Sequence, residues 1–500
     1  MSGISSTPAI VDRAVRNRNI RMLHDRGVVL PRFFELANPE AIPRAVREQL
    51  KGIHPDAPHP LNLFRIHWFN SRVRHEDDAT AAVPDYLVLP PSLTGVDAKI
   101  VVLVGSHFPM IHAHKVLAAY ACLVPRVVSG AFDLEHQRAV WPSTGNYCRG
   151  GVAVSRIVGC RGVAVLPAGM SAERFRWLDD WVSDPSDIIR TPGTESNVKE
   201  IYDACHELAR DPRNMIFNQF AEFANYVVHY RCTGTAVGRV FESMASTEAL
   251  HLRAFVSATG SAGTIAAGDY LKARYGSATV AVEAQECPTL LANGFGEHNI
   301  QGIGDKHVPL IHNVMGTDFV TAVSDRSTDA LNILFNSPAG HDYLSSRRSV
   351  PAAVLARLDV LGLSSICNVL AAIKIARYLR LGPSDVIATV ATDGAEMYAS
   401  EITSTMRDRF NGRFDVVDAA SVYGQHMLGC TTDHLMELSL RDRERIFNLG
   451  YFTWVEQQGC SAEAFNARAE PSFWRGLQEL VPEWDAMIEE ANAEARMAAV

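Results

Sequence analysis

Residues 98–104, Ala-Lys-Ile-Val-Val-Leu-Val, form a nearly unbroken apolar run rich in β-branched side chains. A run of this kind is stable as a strand covered on both faces, which is the condition inside a parallel sheet. The pattern recurs at 162–167, 278–284, 319–323 and 386–391, and the stretches 111–120, 172–182, 196–210, 265–273 and 364–381 between them carry helical spacing. Strands alternating with helices predict an α/β fold whose function-bearing loops lie at the C-terminal ends of the strands. With 500 residues, 47% of them apolar, the chain has core enough for two domains or for one large α/β unit with additions.

Charge and cysteine usage narrow the classes further. A net charge of −9 argues against nucleic acid or an acidic membrane surface as the main partner. The nine cysteines are scattered, odd in number and without a C-x-x-C pair, as expected of reduced thiols in a cytoplasmic protein. No metal-ligand spacing is evident. Residues 1–7 lack the long apolar region of a signal peptide, and no apolar run reaches about 18 residues. Residues 1–85 mix Arg, Pro and His with short helical patterns, without catalytic spacing. They read as an extension packed on the main body or on a partner subunit.

Four stretches carry the chemistry. Between the apolar residues Phe255-Val256 and the helical run from Ile265 lies Ala258-Thr259-Gly260-Ser261-Ala262-Gly263-Thr264. Glycines there let backbone N–H groups close on an oxyanion, and the following helix N-terminus adds positive partial charge. A tight strand-to-helix turn without a ligand explains the same residues. Lys115 opens an apolar helix one residue after His114: either its stem covers the helix and its ammonium reaches water, or burial turns it into a nucleophile toward a carbonyl. Ser143-Thr144-Gly145-Asn146 offers hydroxyls and N–H groups suited to a carboxylate, or simply a helix cap. Gly296 to Asp305 is a second glycine-rich loop, and Thr392-Asp393-Gly394 follows the strand at 386–391.

Lys115, Ser143-Thr144-Gly145-Asn146, Thr259 to Thr264 and Gln301-Gly302-Ile303-Gly304 occur in the order found in the cysteine synthase and cystathionine β-synthase group of fold-type II pyridoxal-phosphate enzymes, which this chain resembles over roughly residues 95–400. The register continues through Gly159, Pro167 and Met170-Ser171-Ala172-Glu173-Arg174. The resemblance implies two open, mainly parallel twisted sheets with flanking helices. It implies a larger cofactor-binding domain (86–135 and 226–425), a smaller substrate-loop domain (136–225), an N-terminal extension (1–85) and a helical C-terminal extension (426–500).

It also implies roles. Lys115 would carry pyridoxal 5'-phosphate and move the substrate α-proton, and Asn146 would bond the ring hydroxyl. Residues Thr259, Gly260, Ser261, Ala262, Gly263 and Thr264 would hold the phosphate, with His114 touching it or merely packing. Ser143, Thr144 and Gly145 would take the substrate carboxylate, and Gly302 and Gly304 would line the substrate side of the ring. Three departures stand out. Tyr147-Cys148 replaces the usual threonine and glycine and should reshape the substrate pocket. Gly394 stands where a serine usually meets the pyridine nitrogen, leaving Thr392 or Asp393 to do so. Insertions occupy 185–250 and 325–360. The activity implied is β-replacement on a β-substituted amino acid through an aminoacrylate, in a cytoplasmic homodimer. Two alternatives are a β-eliminating lyase and a non-catalytic cofactor-binding protein. A nucleotide-dependent dehydrogenase is disfavoured by the missing G-x-G-x-x-G.

Overall fold

The computed structural model describes residues 9–71 and 82–497; the reading of residues 1–7 lies outside them. Two sheets organise the chain. The larger has seven strands in the order β1 (Tyr86–Leu89), β2 (Lys99–Val104), β10 (Asp385–Ala391), β7 (His251–Ala258), β8 (Ala278–Ala284), β9 (Phe319–Val323) and β11 (Leu435–Glu437). The smaller has four, β5 (Ile188–Thr191), β4 (Arg161–Pro167), β3 (Arg138–Pro142) and β6 (Asn214–Ile216). All pairings are parallel except at the two edges of the larger sheet, where β1 and β11 run antiparallel.

The apolar runs read from the sequence are the inner strands. Residues 100–104 of β2, for instance, are all buried, as two helix-covered faces require. The edge strands escaped the sequence reading because three or four residues carry too little periodicity to be told from a turn. One of them, β11, lies in the stretch expected to be wholly helical. It covers the open edge of β9 through pairs such as Met436 with Val320, which removes a row of unpaired backbone groups from solvent.

The N-terminal helix Arg13–Asp25 and the helix Val481–Met497 pack on each other and on the helix Lys115–Ser129. Arg16 meets Glu494 at 2.6 Å and sends its Nε to the Val128 carbonyl at 3.0 Å. Asn19 donates to the Val127 carbonyl at 3.0 Å, so side chains of the N-terminal helix bond carbonyls in the last turn of the Lys115 helix. Asp485 in turn accepts from the Phe33 and Phe34 N–H groups at 2.6 and 2.9 Å. No helix among the described residues is long and apolar enough to cross a membrane.

Candidate active site

Loops that follow β2, β3, β7 and β10 converge at the C-terminal ends of these parallel strands, the position at which open α/β sheets gather their functional groups. Lys115 is the first residue of its helix and reaches across to the β7 loop, where its Nζ donates to Ser261 Oγ at 3.0 Å. Burial pulls its pKa down to about 8, against the opposing pull of the carboxyl groups of Asp305 and Glu195. The amine is therefore far more nucleophilic at neutral pH than an exposed lysine.

The loop that Lys115 meets presents free N–H groups. Ala262 is held at φ +60, which turns consecutive amides toward one side. Among the described residues the N–H groups of Ser261, Ala262 and Thr264 have no backbone acceptor, and that of Gly263 reaches only Ser261 Oγ at 3.4 Å. The helix Ala266–Tyr275 begins directly after, with its N-terminus toward the same loop. Asn225 steadies the Ser261 hydroxyl at 3.1 Å. Thr259 ties the loop to the sheet through its hydroxyl, which donates to the Val282 carbonyl at 3.0 Å.

Behind this loop, His114 Nε2 lies 2.8 Å from Thr264 Oγ1. Burial, with Lys115 adding to it, drops the imidazole to about 3, so it is neutral. Trp68, from the N-terminal extension, stacks on it at 5.2 Å and donates its indole N–H to Thr233 at 2.9 Å. The extension thus buttresses the site, although nothing in its sequence pattern pointed there.

The β3 side is built around buried charge. Gly145 sits at φ +144, and a Cβ there would collide with the Arg174 side chain, so glycine is required on both counts. Asn146 opens the next helix and is held at both ends: its Nδ2 donates to Asp393 at 2.7 Å, and its Oδ1 accepts from Arg149 at 3.0 Å. Asp393, fully buried, also accepts from the Tyr398 hydroxyl at 3.0 Å and lies 3.5 Å from Arg174. Burial pushes its carboxyl up, while Arg174, Asn146 and Tyr398 favour the charged form. Arg174 is further bonded by Ser171, Tyr398 and Gln301.

Two acids complete the cleft, and neither was singled out from the sequence. Glu195 Oε1 accepts from the Gly302 N–H at 2.7 Å, and burial raises its carboxyl to about 8. Asp305 is raised to about 7 by burial, opposed by Lys115. Asp305 ends the second glycine-rich loop directly after Gly304, which was a usable signal. Glu195 lies in an insertion with no motif around it.

Of the residues proposed from the sequence, Lys115, Ser143, Thr144, Asn146, Tyr147, Gly260, Ser261, Ala262, Gly263, Thr264, Gly302 and Thr392 line the cleft. Six do not. His114 and Thr259 brace the loop from behind. Gly145 accommodates Arg174. Asp393 is occupied beneath Asn146, and Gly394 follows it away from the wall. Gly304, at φ +77, has its missing Cβ position filled by His298 rather than facing the cleft. Of the two candidates after β10, therefore, Thr392 is the one that faces the cavity. Asn368 also lines it, fixed by bonds to the Ala258 N–H and the Val390 carbonyl at 2.8 and 3.0 Å.

No family model matches the chain. Over 247 residues it is 29% identical to cysteine synthase B of Campylobacter jejuni, covering 49% of this chain and 71% of that protein. Over 264 residues it is 28% identical to cysteine synthase 3 of Caenorhabditis elegans, covering 51% and 68%. Among solved structures, O-acetyl serine sulfhydrylase isoform 3 of Entamoeba histolytica superposes with a TM-score of 0.53 at 21% identity, over 68% of this chain and 93% of that one. The O-acetylserine-dependent cystathionine β-synthase of Helicobacter pylori gives a TM-score of 0.51 at 19% identity, over 63% and 96%.

Proposed function

We infer that this chain, which resembles the cysteine synthases in sequence and has the fold of the fold-type II pyridoxal-phosphate enzymes, catalyses β-replacement on a β-substituted amino acid. The observation that carries this reading is a buried lysine amine, softened to about 8, hydrogen-bonded into a loop of unpaired N–H groups at a helix N-terminus. An amine and an anion cradle in contact suit a cofactor that bears both an aldehyde and a phosphate.

When bound, pyridoxal phosphate supplies the aldehyde that Lys115 captures and an electron sink for the pair released at the substrate Cα. The chain's own residues do the rest. Residues 260–264 hold the phosphate through backbone N–H groups and the Ser261 and Thr264 hydroxyls. Asn146 and Thr392 serve as partners for the ring hydroxyl and nitrogen. Ser143 and Thr144 hold the substrate carboxylate. Lys115, freed by substrate, takes the α-proton and later returns one to Cα, a task suited to an amine whose pKa lies near the working pH. Tyr147, whose buried hydroxyl lies beside Cys122, narrows the substrate side. We place the enzyme in the cytoplasm as a homodimer; light scattering at twice the chain mass checks the second part.

The test is chemical trapping. Enzyme loaded with pyridoxal phosphate, reduced with borohydride and digested, should carry the label on the peptide containing Lys115. Lys115→Ala should lose the label and at least about 10³-fold of the turnover of O-acetylserine with a nucleophile. Label on another lysine, or undiminished turnover in the variant, contradicts the assignment.

A further inference from the structure

Asp305 and Glu195 face the cleft, yet neither is needed to hold a phosphate, a ring or a substrate carboxylate. Asp305 is 7% exposed and Glu195 1%; among the described residues Asp305 Oδ2 and Glu195 Oε2 have no hydrogen-bond partner. An unmatched buried carboxyl oxygen costs stability, so two of them beside a reactive amine point to a ligand that supplies the missing donors. The charge of that ligand follows from electrostatics. Once Asp305 ionises, a like charge about 4 Å from it near a protein surface is repelled by about 4 kcal/mol, so its carboxylate works against an anionic nucleophile such as hydrosulfide. An uncharged Nu–H molecule meets no such repulsion. It must lose a proton as it adds, and it brings the donor the carboxyl oxygens lack.

Resting on the β-replacement reading, we propose that Asp305 is the proton acceptor for an uncharged O–H or N–H nucleophile, and that the Asp305–Glu195 wall makes the cleft favour this class over hydrosulfide. In the step, a lone pair of Nu forms the Nu–Cβ bond as the Nu–H bond breaks, and that proton passes to Asp305 Oδ2. The electron pair displaced to Cα is matched by a proton from the Lys115 ammonium. No oxidant or reductant is consumed. Glu195 acts as a positioning residue, since its Oε1 fixes the Gly302 N–H at 2.7 Å.

Asp305 feels Lys115, Glu195, Tyr202 and Cys287. Burial keeps Tyr202 and Cys287 protonated, and buried His307 stays neutral. The neighbouring Lys306 directs its ammonium to the Phe295 ring at 5.8 Å. Lys115 is thus the charge that tunes Asp305 at neutral pH, joined by Glu195 as that acid ionises near 8.

The experiment separates the half-reactions of the loaded enzyme. O-Acetylserine alone should release a burst of acetate, after which pyrazole, water or hydrosulfide is added and the second step is timed across pH. Wild-type enzyme should add pyrazole and water with a rate that rises through about pH 7 as Asp305 ionises. Asp305→Asn should keep the burst, slow these additions by about 10²-fold or more, flatten the pH profile and improve the relative rate of hydrosulfide. Asp305→Glu should restore part of the loss. Infrared difference spectra should show protonated carboxyls that titrate near neutrality, and the component near pH 7 should be diminished in Asp305→Asn. An intact burst with unchanged nucleophile preference in Asp305→Asn overturns the inference alone, as does an equal slowing of both half-reactions. An absent burst in wild-type enzyme overturns the β-replacement reading and the inference with it.

Discussion

Asp393 and Asp305 are both buried aspartates in loops of the larger sheet, but their surroundings differ. Asp393 is met by Asn146, Tyr398 and Arg174, and its carboxylate balances part of the charge of two buried arginines. Among the described residues, Asp305 has an oxygen with no partner and a single cation, Lys115, opposing its burial. A carboxylate that its neighbours fully satisfy holds its surroundings in place; one left open is available to whatever enters. The two faces of the cleft thus divide into one built for rigidity and one built for exchange.

The division is open to direct attack. The largest expected effect is on the rigid side: Asp393→Ala strands Arg174 and Arg149 without their counter-charge and should cost about 3–5 kcal/mol in urea unfolding. A loss near that of an exposed ion pair, about 1 kcal/mol or less, would dissolve the contrast. On the open side the signature is pH dependence. Native Asp305 holds its proton to about pH 7, whereas the unfolded residue releases it near 3.8. Between those values the native state binds more protons, so stability falls as pH rises, by at most about 1.4 kcal/mol per pH unit. Asp305→Asn should remove this slope; an identical pH profile in the variant would place Asp305 among the satisfied acids. The smallest effect concerns the loop between the two sides. Thr264→Val takes the partner from His114 Nε2 and should cost about 1 kcal/mol with weaker retention of pyridoxal phosphate.

What the sequence disclosed follows the same division between local and distant. Lys115, Ser143 to Asn146 and residues 259–264 are contiguous stretches whose spacing carries their chemistry, so the cleft wall was readable from them. Asp393 was identified, but its use was not: whether it faces a ring nitrogen or an arginine depends on Arg174 and Tyr398, which only the fold brings to it. Glu195 was invisible because its one telling contact, with the Gly302 N–H, joins an insertion to a distant loop. Gly304 shows the complementary case, in which a motif residue adjoins the cavity in sequence but turns from it in space, and of the two roles open to His114 the fold shows the packing one. Trp68, far from any motif, reaches His114 through packing alone.

The contact between the Arg13–Asp25 and Val481–Met497 helices has a bearing on how the enzyme is made. Residues at the end of the Lys115 helix are secured by Arg16 and Asn19, and Arg16 is secured by Glu494, which leaves the ribosome long after Lys115 has done so. During synthesis Lys115 therefore waits on an unclamped helix. Full assembly of its surroundings follows arrival of the late segment, which ties completion of the cleft to the last stretch of chain made.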